Sequence, residues 1–308
     1  HQLTNREVCL LLSSAVGRTR CSVVKRTAIV TGAGSGLGRA YALDLARAGM
    51  RVVVNDRDGD RAKAVVAECR SARAEAEVDA SAVGAKGAGE LLIGRTVERF
   101  GRIDAFVANA GLVRDRAVHN LTGDEVDEVL SVHLVGVIDQ VRELWPHFRR
   151  QHYGRLVLVS SAAGLFGNVG QANYAAAKAA VVGLARTLAL EGRHSGIKVN
   201  VVAPIAQTDM AAAALGNRFA GLTPQQVAPL VTYLSSEICA VTGELFAAGG
   251  GRITRFRLAE SRGVRLPQGF TASDVAQRIN DICDMSSFAW PANVDDHLGP
   301  MLREMPAQ

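Results

Sequence analysis

Aromatic residues are scarce in this chain, at 5%, and charge of neither sign dominates: 35 lysines and arginines stand against 30 aspartates and glutamates. A nucleic-acid surface needs a basic stripe with stacking rings. The net charge of +5 is scattered instead, so no nucleic-acid partner is expected. Long apolar runs are missing too. A membrane helix takes roughly 18 to 20 apolar residues in succession, and the most apolar helical stretch is broken by Lys178 and Arg186, so no membrane partner is expected. Cys9, Cys21, Cys69, Cys239 and Cys283 form an odd, dispersed set without a CxxC pair. That pattern argues against a zinc site and a disulfide framework, and points to a reducing, cytoplasmic setting.

What is present is 308 residues with 48% apolar content, enough for one large α/β domain or two small ones, which excludes wholesale disorder. Residues 1–22 fit the rest poorly. Their apolar stretch, Val8 to Leu12, is short and preceded by a single arginine, which makes an N-terminal extension the expectation rather than a signal peptide. The final Pro-Ala-Gln carries no peroxisomal address.

Between Val23 and Gly251 strand and helix patterns alternate. Thr27 to Thr31 and Arg51 to Asn55 flank a glycine-rich turn and a helical stretch, which together make a βαβ unit. Asp104 to Ala108, Arg155 to Ser160 and Lys198 to Val202 are apolar without alternation, as strands covered on both faces are. Thr122 and Glu125 form a capping box that opens a helix, with Val126, Val129, Leu130, Val137 and Val141 on one side and an end expected near Pro146. The expected fold is an α/β, Rossmann-like doubly wound parallel sheet of about seven strands over 23–252, with its ligand outside the carboxyl ends of the strands. A substrate lid is expected at 205–222. A C-terminal extension at 253–308 is expected to pack on the site or on a dimer partner.

In Gly32-Ala-Gly-Ser35-Gly36-Leu37-Gly38 the missing side chains let backbone approach a pyrophosphate, and the helix that follows offers free N–H groups. Asp56, just after the second strand, is placed to accept from both ribose hydroxyls and to repel a 2′-phosphate, which favours NAD. Arg57 stands beside it. Tyr174 and Lys178 are four apart on a helix and share a face. A phenol of ordinary pKa about 10 is a weak base at neutral pH, and a neighbouring ammonium is expected to lower it. Ser161, thirteen residues before Tyr174 at a strand end, is suited to bind the substrate oxygen, with Ser160 as its competitor.

With TGAGSGLG, Asn109-Ala110-Gly111, Ser161 and Tyr174-Ala-Ala-Ala-Lys178 in order, the chain resembles the short-chain dehydrogenase/reductases over about Val23 to Gly251. Gly111-LVRDR, VHLVG around His133, WPH at Trp145 and GNVGQANY are similar to the (3R)-hydroxyacyl-CoA dehydrogenase units of type 2 multifunctional enzymes, also called 17β-hydroxysteroid dehydrogenase type 4. The resemblance implies proton transfer by Tyr174, a hold on the nicotinamide ribose by Lys178, substrate contacts from Ser161, Tyr174 and Met210, and a homodimer or homotetramer. Asp79, Asn109, Ala110, Gly111, Pro204 and Thr208 join the cofactor set, and an acyl-CoA or steroid is the implied substrate. The spacing from Pro204 to Thr208 is one residue shorter than in most members. His133 stands where many carry a catalytic Asn; a core histidine, a backbone carbonyl holding a water, and a titrating relay are its three readings. A 3-oxoacyl-carrier-protein reductase using NADPH is the rival enzyme, favouring an arginine at Ser35 and no acid at Asp56. A non-catalytic dinucleotide-binding subunit is the rival outside catalysis.

Overall fold

The computed structural model describes residues 24–208 and 221–303. Residues 1–22 and Met210, with most of the expected lid, lie outside the described residues.

Strands β1 (Thr27–Thr31), β2 (Arg51–Asn55), β3 (Ala76–Asp79), β4 (Ala105–Ala108), β5 (Gly154–Val159), β6 (Ile197–Pro204), β7 (Leu245–Gly249) and β8 (Arg252–Phe256) form one sheet in the order β3-β2-β1-β4-β5-β6-β7-β8. The first seven run parallel, in registers such as Ala28 opposite Val52 and Ala28 opposite Ala105. The eighth is antiparallel to β7, which adds one edge strand to the seven expected. Strand order reverses between β1 and β4, which opens a crevice above their carboxyl ends.

Successive side chains of a strand face opposite sides, and both sides of this sheet are covered. Ala28 and Val30 point to one core with the helices α1 (Gly36–Arg47), α2 (Gly59–Ser71) and, later in the chain, Ala228–Ser235. Ile29 points to the other, with α3 (Ala88–Phe100) and the helices Gly136–Gln151 and Ala172–Glu191. Continuous burial along β1 explains why its sequence lacks polar alternation.

The helix opened by the Thr122–Glu125 capping box is interrupted once, at a place that its periodicity does not show. It runs as α4 (Gly123–Leu130), widens into a π-turn over Ser131–Val135, and continues as α5 (Gly136–Gln151). Val129, His133, Val137 and Val141 are all buried, each four residues after the last. An α-helix overshoots by about 40° at each such step, and the wider turn absorbs the excess. Pro146 does not end this helix, as was expected, but lies inside it. Leu144 and Phe148 on either side are fully buried, and their packing outweighs the lost backbone bond. The chain ends in α6 (Ala162–Phe166), α7 (Ala172–Glu191), α8 (Ala228–Ser235), the short antiparallel pair β9 (Glu260–Ser261) and β10 (Phe288–Ala289), α9 (Ala272–Ile282) and α10 (Val294–Arg303). Among the described residues no helix is long and apolar enough to cross a membrane.

Candidate active site

The crevice above β1 and β4 is a cleft of about 780 Å3. Its floor is held by Thr31 and Asn109. The Thr31 Oγ1 accepts from the backbone N–H groups of Asn109 and Ala110, each at 3.0 Å, while Asn109 Nδ2 donates to the carbonyls of Thr31 at 2.9 Å and Gly32 at 3.1 Å. Asn109 therefore ties the two strand ends where they diverge. Gly38 is required by the same packing, since a Cβ there would stand 2.1 Å from the Gly32 carbonyl oxygen. At the start of α1, Ser35 makes no side-chain cap and the first turn holds no acid. The free N–H groups and positive dipole end face a cleft lined by Gly32, Ser35, Gly36, Leu37 and Gly38, a cradle suited to a pyrophosphate.

The Asp56 carboxylate lines the adjoining end, fixed by N–H donors from Gly34 at 2.8 Å and Asp58 at 3.0 Å. Arg57 and Arg61 line the same end, Arg61 paired with Asp58 at 3.2 Å. Pro204 and Thr208 close the cleft from the β6 side, with the Thr208 methyl 3.4 Å from where a Cβ on Gly36 would sit. Asp79 does not line the cleft. Its buried carboxylate accepts from Asn55 Nδ2 at 2.8 Å and the Ser81 N–H at 2.9 Å and pairs with Arg95 at 3.4 Å, so it holds the β2 and β3 ends together.

Tyr174, Lys178 and Ser161 converge on the opposite wall. Lys178 is buried, donates from Nζ to the Val159 carbonyl at 2.6 Å, and sits 5.7 Å from the Tyr174 ring centre. Burial lowers it to about 7. Tyr174 moves the other way from the expectation. Desolvation raises its phenol, the Ser161 hydroxyl hydrogen-bonded to it opposes this, and the Asp115 charge adds to the rise. Ser161 caps α6, its hydroxyl accepting from the Ala163 N–H at 3.2 Å. Ser160 donates to the Lys178 carbonyl at 2.7 Å and is buried, so it braces α7.

His133 is buried within the π-turn, its ring edge-on to that of Tyr174 at 5.2 Å. Its Nε2 lies 2.7 Å from the Leu112 carbonyl and 3.1 Å from the Leu112 N–H, and its Nδ1 has no partner. Burial first, then the Lys178 charge, hold the imidazole down at about 3, so it is neutral at physiological pH. Gly111 exists for this ring, because a Cβ there would lie 2.3 Å from His133 Cε1.

Residues that the sequence left unremarked complete the wall. Gln171 donates from Nε2 to Asp115 at 2.8 Å and accepts from Asn168 Nδ2 at 2.9 Å. Asn173 accepts from the Tyr174 N–H at 2.8 Å and donates to the Arg114 carbonyl at 3.1 Å, which anchors the start of α7 to the segment after β4. Only the GLVRDR and GNVGQANY likenesses touched these positions, and they carried no roles. Beyond β7, Arg255 pairs with Glu244 at 2.6 Å and Arg257 lies over Trp290.

A sequence model of the short chain dehydrogenase family matches residues 26–217. A short-chain type dehydrogenase/reductase of Mycobacterium tuberculosis is 42% identical over 86% of this chain and 96% of its own length. Peroxisomal multifunctional enzyme type 2 of Mus musculus is 40% identical over 89% of this chain, which spans only 39% of that protein. The solved full-length peroxisomal multifunctional enzyme type 2 of Drosophila melanogaster is 33% identical, with a TM-score of 0.78 over 90% of this chain and 49% of that one.

Proposed function

The chain belongs to the short-chain dehydrogenase family, oxidoreductases that bind a nicotinamide dinucleotide, and from that premise we propose that it passes a hydride between NAD and a secondary carbinol, C3 of a (3R)-hydroxyacyl-CoA, C17 of a 17β-hydroxysteroid, or both. The observation that carries the reading is the convergence of Ser161, Tyr174 and Lys178 on one cleft with the uncapped α1 terminus and Asp56.

When bound, the dinucleotide supplies the hydride acceptor. The chain supplies position and proton management. Ser161 holds the substrate oxygen, and Tyr174 takes the hydroxyl proton in oxidation or returns it in reduction. Lys178 holds the nicotinamide ribose, while Asn109, Ala110, Gly111, Pro204 and Thr208 fix the nicotinamide end. Asp56 accepts from the adenosine ribose, and its charge disfavours a 2′-phosphate. For His133 the buried, neutral ring supports the backbone role, in which a carbonyl of the π-turn holds a water whatever the side chain. The exposed apolar residues of the C-terminal extension support a homodimer in which that extension covers a second copy.

The test is NADH against NADPH formation with (3R)-hydroxyacyl-CoA and a 17β-hydroxysteroid side by side, with the 3S epimer as control. NAD is expected to lead NADP by at least about tenfold in kcat/KM. Equal rates with the two cofactors would remove Asp56 from its role, and turnover of neither substrate would remove the proposed reaction.

A further inference from the structure

The Tyr174 wall carries a second polar group that hydride transfer does not use. Gln171 sits three residues before Tyr174 at the N-terminal end of α7, on the same side of the helix, and lines the cleft although it is only 9% exposed. Its amide is locked in one orientation. A carboxylate only accepts, so the Asp115 side chain must face Nε2, and Asn168 Nδ2 only donates, so it must face Oε1. The lock is tied down at the backbone as well, where Arg116 bridges to Gln171 and its N–H bonds the Gly170 carbonyl at 2.8 Å. An amide nitrogen has two hydrogens and Asp115 takes one, which leaves a second donor on a side chain that lines the same cleft as Ser161 and Tyr174.

Resting on the dehydrogenase reading above, we infer that Gln171 is a specificity-determining residue. Its second N–H binds a carbonyl oxygen two carbons from the reacting carbinol, so the enzyme selects 1,3-dioxygenated substrates over plain secondary alcohols. The thioester carbonyl of a 3-hydroxyacyl-CoA is such a group. A 17β-hydroxysteroid has no oxygen at that distance, so the same geometry ranks it second. A site built to bond a substrate polar group rejects an analogue that lacks it far more strongly than an apolar pocket rejects a size change.

The probes are (3R)-hydroxybutyryl-CoA and its thioether analogue S-(3-hydroxybutyl)-CoA, in which a methylene replaces the carbonyl and the coenzyme handle is kept. With the full-length protein we expect a thioester preference in kcat/KM of about a hundredfold, falling to within about fivefold in Gln171→Met, chiefly through slower thioester turnover. Gln171→Leu serves as a second variant, and NADH binding by fluorescence reports that each variant is folded. If the wild type oxidises neither probe, the dehydrogenase reading itself fails. If it oxidises the thioester but the preference survives in folded variants, or if both probes lose rate equally, Gln171 does not read the carbonyl and the inference is overturned.

Discussion

At Tyr174 burial and the Asp115 charge hold the proton on, the Ser161 hydroxyl alone opposes them, and burial wins. A phenol held above its ordinary range keeps its proton at neutral pH. Reduction, which needs that proton in place, should hold steady through neutrality and fall only at alkaline pH; oxidation, which needs it gone, should climb with pH over the same range. Tyr174→Phe keeps the ring packed against His133 and removes the proton carrier. It is expected to abolish turnover in both directions while NADH still binds, and substantial residual turnover would take Tyr174 out of the reaction. His133 makes a different forecast. With its imidazole near 3, it contributes no ionisation in the working range. His133→Asn should keep activity within roughly tenfold, about 1.4 kcal/mol of barrier, with an unchanged pH–rate profile. Loss of an inflection from that profile would make the ring a chemical participant.

Among the elements, the π-turn and the segment after β4 are fitted to each other through His133 and Gly111. Gly111→Ala drives a methyl into an imidazole that Leu112 holds in place, and overpacking of this kind costs about 1 to 3 kcal/mol. The two positions should therefore couple. In a His133→Ala background the added methyl has room, so urea midpoints for the two single variants and the double should show a non-additive recovery. Strict additivity would mean that the contact is slack. The capping box at the head of α4 offers a smaller test. Thr122→Ala leaves the Glu125 N–H without its acceptor and should cost about 1 kcal/mol by the same urea assay.

For the whole molecule, the sheet and its two helical layers account for the buried apolar side chains, and the C-terminal extension does not share in them. Helix α9 buries none of its residues, and Phe270, Ile279, Met285, Phe288, Trp290, Val294 and Met301 are all exposed. These exposed side chains are the surface that the proposed dimer would cover. Deleting residues 257–308 leaves β8 in the sheet and is expected to turn a dimer into a monomer in sedimentation velocity, with the cofactor still bound. An unchanged sedimentation coefficient per subunit mass would place the extension elsewhere.

The sequence by itself determined the alternation of strands and helices and offered a candidate set of chemistry-bearing residues. Strands covered on both faces appear as unbroken apolar runs, so β1 and β2 were legible to the residue. Tyr174, Lys178 and the glycine turn were legible because each depends on spacing within a single element or turn. What depends on contacts between distant segments was not. Local propensity put a stop at Pro146, and burial of Leu144 and Phe148 carried the helix past it. The π-turn came from a four-residue spacing that an α-helix cannot keep on one face. The rise at Tyr174, the fall at His133 and the turning of Asp79 away from the cleft are effects of desolvation and of partners far off in the chain. Gln171 and Asp115, 56 residues apart, became a candidate pair only through the tertiary structure. A side chain's pKa and the direction of its free donor are set by what surrounds it in space, and spacing along the chain does not record that.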